Sequence, residues 1–488
     1  MKPIKLFLYS LSFVTALILV LFALNVFPIP GTDSVVFIPA ALLLSKGLGL
    51  ANPLYYVTQV TDLTHTNRFN YYVPFYPYLL GLLSKFNPGI KTIFVICSLI
   101  GSTGLFLYTK TLAKLLPKKP STLAKAVALF SIPYIATYLL PTIGRPEGLT
   151  ILLVFLVYLL YINRAGMNQL VYNFLLCLLF SFILASQLIC FYFCFLVFVT
   201  YELLNTESIV RVIRNNVLRV IVTIGLFCLV LSLSPNGLMP TIIGIKTHAS
   251  LVLTRHDRSI PLFIHYWLLS QVNFGFLVLF LLVSGFYLYE LNGKVKNIDA
   301  IRRWLVIIIQ LFIAYGIGKF ILYASPTVYN ATQYILPLSL YLVISISMLE
   351  KNSFQLPLKG LALLTYIAGT VFFMRDILLF IDYQKDGKTY DAAKAIVTPL
   401  MKSGKNVYIT QSLWSLNENL DEVKIFDGIH FKKDDTIIVQ QAYHPFPPAL
   451  VGKCTIIYDW STAEHRKFLG KSLSNRPQGY SFVICKIN

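Results

Sequence analysis

Charge is scarce in this sequence. Only 13% of its 488 residues are Asp, Glu, Lys or Arg, where soluble domains carry about a quarter. That shortfall excludes an ordinary water-soluble globular chain. Acidic side chains are the rarer kind, 21 against 41 basic. Cysteine is sparse too: there are seven, with no CxxC spacing and no histidine cluster beside them, so a zinc or thiol-redox motif has no support. Cys97, Cys177, Cys190, Cys194 and Cys228 sit in apolar stretches and read as packing residues. Cys454 and Cys485 lie in a polar stretch, where a disulfide would form only in an oxidising compartment. No internal repeat and no low-complexity segment interrupts the chain.

What the chain has in place of charge is apolar length. It is 56% hydrophobic, with a mean hydropathy of +0.69. Repeated apolar runs of about 20 residues predict a polytopic α-helical membrane protein. The runs are 6–27, 93–115, 123–140, 148–162, 170–186, 188–204, 217–234, 272–291, 304–323, 333–349 and 360–381, about eleven spans by that length rule. The first is too long and too uniformly apolar for a signal-peptide core and is expected to be retained. The net charge of +20 then reads as topology and attraction to anionic membrane lipids, with no nucleic acid implied.

Orientation follows from the short basic loops. With Lys2 and Lys5 inside, Lys110, Lys125, Arg164, Arg211, Arg214, Arg219, Lys294, Lys296, Arg302, Arg303, Lys351 and Lys359 all fall on the inner side. An odd number of spans places the tail outside. Two long loops, 28–91 and 235–271, then share the outer face. The expected organisation is a membrane module over 1–382 and an outer α/β domain over 383–488, with a helix at 391–401 and strands at 406–410, 436–440, 455–459 and 481–486.

The first outer loop carries most of the chemistry. It contains Gly31-Thr32-Asp33-Ser34, an amphipathic-looking run to Lys46, then Asp62, His65, Arg68 and the aromatic Pro74-Phe75-Tyr76-Pro77-Tyr78 element. A loop this long, and too apolar to be disordered, is expected to be functional. Asp33 is placed to cap the following helix or to act as a general base at the interface, and the two roles are compatible. A short turn, Ile143-Gly144-Arg145-Pro146-Glu147-Gly148, brings a cation and a carboxylate to the membrane boundary. They form either an ion pair that fixes the turn, or a phosphate-holding Arg145 with Glu147 orienting it or a sugar hydroxyl. Lys319, inside an apolar run, is either snorkelling or binding an anion. The stretch from Lys246 through His248 to Arg255 and Arg258 is basic where the positive-inside tendency disfavours it, which suggests an anionic ligand or lipid headgroups. The tyrosines of the first loop suit sugar stacking or headgroup anchoring.

An Asp after the first span, a long first outer loop, the Pro74-Phe75-Tyr76-Pro77 element and the Arg145-Pro146-Glu147 turn occur together, in this order relative to the spans. The combination resembles the GT-C superfamily of integral-membrane glycosyltransferases, in the branch of protein O-mannosyltransferases and lipid A aminoarabinose transferases. The resemblance covers about residues 1–382 and is strongest over 28–162. It implies a sugar donor carried on polyprenyl phosphate, transfer at the outer face, and Asp33 as catalytic base. Arg145, Lys319, Lys246, Arg255, Arg258 and Arg68 are the candidate cations for the donor phosphate. Glu147, Asp62, His65 and Tyr76 are candidates for orienting substrate. Many members follow the loop Asp with a second acidic residue, whereas Ser34 stands here. A divalent metal held by an acidic pair is therefore poorly supported, with Asp62 a distant substitute.

The expected function is a lipid-phosphate-sugar-dependent glycosyltransferase acting on a lipid, glycan or protein acceptor. The expected location is a bacterial inner membrane, with the N-terminus cytoplasmic. An O-antigen polymerase or ligase is the second enzyme reading, disfavoured by the Asp-bearing loop and the C-terminal domain. A transporter ranks third, because the charges cluster at one face and no duplicated halves are visible.

Overall fold

The computed structural model describes residues 2–25, 34–52, 54, 72–116, 121–140, 143–206, 208–232, 237–254, 293, 295–296, 298–323, 356–403, 406–425, 431–440, 450, 452–460, 467–468, 471–472 and 480–488. Apolar runs with helix-compatible composition and few prolines become helices, because in a bilayer only a helix satisfies its own backbone polar groups. Among the described residues these are α1 (Lys2–Asn25), α2 (Ser34–Ser45), α3 (Phe75–Leu83), α4 (Ile90–Leu115), α5 (Thr122–Leu139), α6 (Glu147–Ile162), α7 (Gln169–Ser186), α8 (Leu188–Asn205), α9 (Ile209–Ser232) and α10 (Leu238–Thr254). They are followed by α11 (Ala300–Tyr323), α12 (Leu356–Lys385) and α13 (Tyr390–Lys402). The chain is thus a helical membrane protein with a small C-terminal sheet. Six helices, α1, α4, α5, α7, α8 and α9, are long and apolar enough to cross a membrane among the described residues, in place of the eleven spans expected. At 16 residues, α6 falls below the length rule. The expected spans at 304–323 and 360–381 lie within α11 and α12, and those at 272–291 and 333–349 lie outside the described residues.

Local chemistry sets several helix ends. The Ser121 side chain accepts from Ala124 N at the start of α5, and Asn168 Oδ1 accepts from Leu170 N at the start of α7, each satisfying a donor that the first turn leaves open. Gln187 alone separates α7 from α8. Helices α4 and α6 cross closely on small residues. A β-carbon on Gly148 would lie 3.3 Å from the Gly101 Cα, and one on Gly104 would lie 3.0 Å from the Leu152 backbone nitrogen. Without a hydrophobic drive between helices in lipid, such close backbone contact is what holds them.

Two expectations change here. The run after Asp33 is not amphipathic in its setting: α2 buries residues right round its circumference, from Ser34 to Leu42, because α3 and α4 pack against it. Arg219 belongs to no basic loop. It is buried, and its Nη1 donates to Glu202 Oε2 at 2.6 Å while Nη2 donates to Asn173 Oδ1 at 2.9 Å. Asn216 Nδ2 donates to the same Glu202 oxygen at 2.7 Å, so one polar cluster ties α7, α8 and α9 together.

After α12 the alternating pattern gives strands β1 (Val407–Ile409), β2 (Lys424–Ile425), β3 (Thr436–Val439), β4 (Cys454–Asp459), β5 (Lys467–Phe468), β6 (Lys471–Ser472) and β7 (Val483–Ile487). The main sheet runs β2-β1-β3-β7-β4, and β5 pairs with β6 in a second, two-stranded sheet. β1 is parallel to β2 and β3, and β7 is antiparallel to β3 and β4. α13 and the four longer strands match the expected positions; the short β2, β5 and β6 were not foreseen. Cys454 and Cys485 lie on neighbouring strands and are both free thiols.

The sheet unit sits at one end of the helical module. Lys91 Nζ pairs with Asp391 at 3.1 Å, and Lys46 Nζ donates to the Glu418 carbonyl at 3.0 Å. That end, which also carries the C-terminus of α1, α2, α3 and the start of α4, is called the sheet side below.

Candidate functional site

The site starts from a backbone requirement. Between α5 and α6 the chain reverses at Gly144, whose φ of +91° lies in the region that favours glycine. This turn delivers Arg145, Pro146 and Glu147 in sequence, with Glu147 as the first residue of α6. A carboxylate there is favoured by the helix dipole.

Arg145 and Glu147 are both buried, with side-chain exposures of 9% and 1%. Arg145 Nε and Nη2 both reach Glu147 Oε1, at 3.0 and 2.8 Å. The second carboxylate oxygen, Oε2, is enclosed and accepts no hydrogen bond among the described residues. A buried acceptor left open is uncommon, since the cost of leaving it unmade is about 1–3 kcal/mol, more when charged. Beside the pair is a small cavity of about 10 Å³, lined by Leu19, Ser98, Leu139, Ile143, Arg145 and Gly148 among others, room for about one water molecule. Ser98 Oγ is also buried without a hydrogen-bond partner among the described residues.

The start of α2 packs on this turn. Ser34, buried at the start of α2, packs against Gly144: a β-carbon on the glycine would lie 3.2 Å from Ser34 Cβ and 3.1 Å from the Phe94 ring. Asn52 holds the other end of the same segment. Its Nδ2 donates to the Val35 and Val36 carbonyls at 2.6 and 2.8 Å, and its Oδ1 accepts from Leu54 N. On α3, Tyr76 is buried and its hydroxyl donates to Cys97 Sγ at 3.2 Å. Burial, with Cys97 and then Glu147 nearby, pushes the Tyr76 phenol well above its usual range. Tyr76 thus stays protonated and acts as a donor.

Of the residues singled out in the sequence, the fold brings Arg145, Glu147 and Tyr76 to one place. Asp33, Asp62, His65, Arg68, Arg255 and Arg258 lie outside the described residues, although Ser34, the neighbour of Asp33, stands at the turn. Lys319 lies in α11, with its side chain outside the described part. Lys246 is exposed on α10, a helix packed on α9. The stretch 246–254 is therefore helical where a loop was expected. No group of three or more His, Cys, Asp or Glu side chains is arranged to hold a metal among the described residues. Sequence reading missed Asn52, whose only signal is a polar residue in a Gly- and Pro-bounded stretch. It also missed the adjacent charges Arg375 and Asp376 inside α12, visible as an interruption of an apolar run. The class that fold and site define is a polytopic helical membrane protein with an enclosed cation–carboxylate pair on its sheet side. Comparison with protein-family models and with curated proteins returns no match.

Proposed function

We propose that this protein is a glycosyltransferase of the GT-C kind, moving a sugar from a polyprenyl-phosphate donor to an acceptor at the outer face of a cell membrane. In this reading the chain has about eleven spans, its sheet side faces outward, and the segments 28–91 and 235–271, the second of which includes α10, frame the site. The observation that carries the reading is the packing of Ser34 on Gly144. It sets the start of α2, directly after Asp33 in the chain, against the turn that holds the buried Arg145–Glu147 pair.

The chemistry is a single displacement. The acceptor hydroxyl gives its proton to the Asp33 carboxylate as its oxygen forms a bond to the anomeric carbon. The bond from that carbon to the phosphate oxygen breaks, and the polyprenyl phosphate leaves with the electron pair. A phosphate is already a good leaving group, so the protein has two tasks: a base for the acceptor and cations for the departing charge. Arg145 supplies a cation whose planar fork suits phosphate oxygens. Glu147 holds that fork with one oxygen and keeps the other for a substrate hydroxyl.

The test is transfer of a labelled sugar from a short-chain polyprenyl-phosphate donor by the purified protein in liposomes, wild type beside Asp33→Asn. Transfer by wild type, and its loss in a variant that still folds and binds donor, is the expected result. Full activity in the variant would remove Asp33 as base, and no transfer by wild type from any donor would sink the reaction class.

A further inference from the structure

Two adjacent charges stand toward the sheet-side end of α12, and neither belongs to the Arg145 turn. Asp376 is fully buried, and Arg375 Nη2 donates to its Oδ1 at 3.3 Å. A carboxylate enclosed by apolar helices is costly, and ionisable residues so placed mark ligand and ion paths in membrane proteins.

The register of α12 fixes where the carboxylate faces. Tyr366, Phe373 and Asp376 are buried at helical spacing. On one side along this stripe Thr137 Oγ1 of α5 donates to the Gly369 carbonyl at 2.9 Å. On the other, Phe380 meets Phe22 of α1 at 4.5 Å between ring centroids. Asp376 therefore faces the seam between the sheet-side ends of α1 and α5. From those two ends the chain continues to the loop that contains Asp33 and to the turn that contains Arg145. Met374, Leu378 and Ile381 form the opposite, exposed stripe, the one a bilayer would cover. At about 100° per residue, Arg375 stands on the border between the two stripes. Its guanidinium lies 5.3 Å from the centre of the Phe372 ring. A cation braced by a buried carboxylate at the edge of a lipid-facing stripe suits an anion that arrives from the bilayer.

We propose that Arg375, held by Asp376, binds the phosphate of a polyprenyl-phosphate molecule entering beside α12. Arg375 is the binding residue and Asp376 a positioning residue. The identity of the carrier rests on the transferase reading, while the phosphate chemistry is shared with anionic lipid headgroups.

The test uses full-length protein in phosphatidylcholine nanodiscs. It measures binding of a fluorescent short-chain polyprenyl monophosphate, with the matching polyprenol as neutral control. Wild type binds the phosphate and not the alcohol. Arg375→Gln weakens binding by at least about tenfold, and Asp376→Asn weakens it as well. Arg375→Lys keeps the charge without the fork, so it recovers part of the affinity, and its unchanged thermal midpoint shows an intact fold. Wild-type affinity in Arg375→Gln would overturn the proposal. So would equal competition by phosphatidylglycerol, which would make the contact a headgroup site. Arg375-dependent phosphate binding without any sugar transfer by wild type would uphold this inference and sink the transferase reading instead.

Discussion

Ser34 and Gly144 face each other at van der Waals distance, one opening α2 and the other turning the chain from α5 into α6. A β-carbon on Gly144 would lie 3.2 Å from Ser34 Cβ, so α2 would have to give by a few tenths of an ångström to admit one. The backbone of Gly144, at φ +91°, also resists any replacement. Gly144→Ala is expected to lower stability by about 1–3 kcal/mol from backbone strain alone, and to slow the proposed sugar transfer further by shifting the start of α2. Thermal unfolding in detergent and the transfer rate of the folded fraction separate the two effects. A variant with wild-type values in both would show that the contact is dispensable.

The Arg145–Glu147 pair gives an asymmetric prediction. Removing one buried partner leaves the other charge uncompensated, which costs roughly 3–5 kcal/mol. Arg145→Met alone is expected to lose more stability than Arg145→Met with Glu147→Gln together. A double-mutant cycle by denaturant unfolding reads the difference, and additive losses would argue that the two side chains do not interact.

The Glu202–Arg219 pair lies toward the end of its helices away from the sheet, and it is bonded to Asn173 and Asn216. Arg219→Met is expected to destabilise by a similar roughly 3–5 kcal/mol. The protein that remains folded should keep the rate of the proposed transfer. A fall in rate per folded molecule would give this cluster a part in the reaction.

At the α4–α6 crossing, Gly104→Leu drives a side chain into the Leu152 backbone. Backbone cannot swing aside as a flexible side chain does, so the expected outcome is poor membrane-extracted yield and a lowered thermal midpoint. Normal yield and midpoint would show that the helices can separate at no cost.

Burial, then the neighbouring Cys454, raises the Cys485 thiol to about 12. In the folded state it should resist alkylation at neutral pH, when thiolate is the reacting form, while unfolding exposes it. The sign with pH follows. A thiol whose folded pKa exceeds its unfolded value of 9.0 contributes its full stability below that value and loses it as the pH rises toward 12. Cys485→Ala should flatten that alkaline decline. Rapid labelling of native Cys485 by iodoacetamide would contradict the burial.

Much of the frame was legible in the chain because it obeys simple periods. Uniform apolar runs marked α4, α5, α7 and α8, and alternation in 436–440 and 481–486 marked β3 and β7. The Arg145 turn was legible because two charges interrupt apolar sequence. What stayed hidden depends on tertiary neighbours. α2 reads as a one-sided helix until α3 and α4 cover its other faces. Arg219 reads as one more loop cation until Glu202, on a different helix, meets it. Asn52 gains its role only because α2 offers two carbonyls within reach.

Helix α12 runs unbroken for 30 residues, about 45 Å at 1.5 Å per residue, against a hydrocarbon thickness of about 30 Å. It passes Arg375 and Asp376 and ends a few residues before α13, whose Tyr390 and Thr398 hydroxyls donate to the Ser415 and Leu416 carbonyls in the short helical turn after β1. Such a rod works as a lever. A tilt of about 5° displaces its far end by roughly 4 Å, given that 45 Å arm. That shift exceeds the length of the Lys91–Asp391 and Lys46–Glu418 contacts. Whatever occupies the flank of α12 therefore acts on the same mechanical part that leads into the sheet unit, and its arrival can be read as movement of that unit against Lys46 and Lys91.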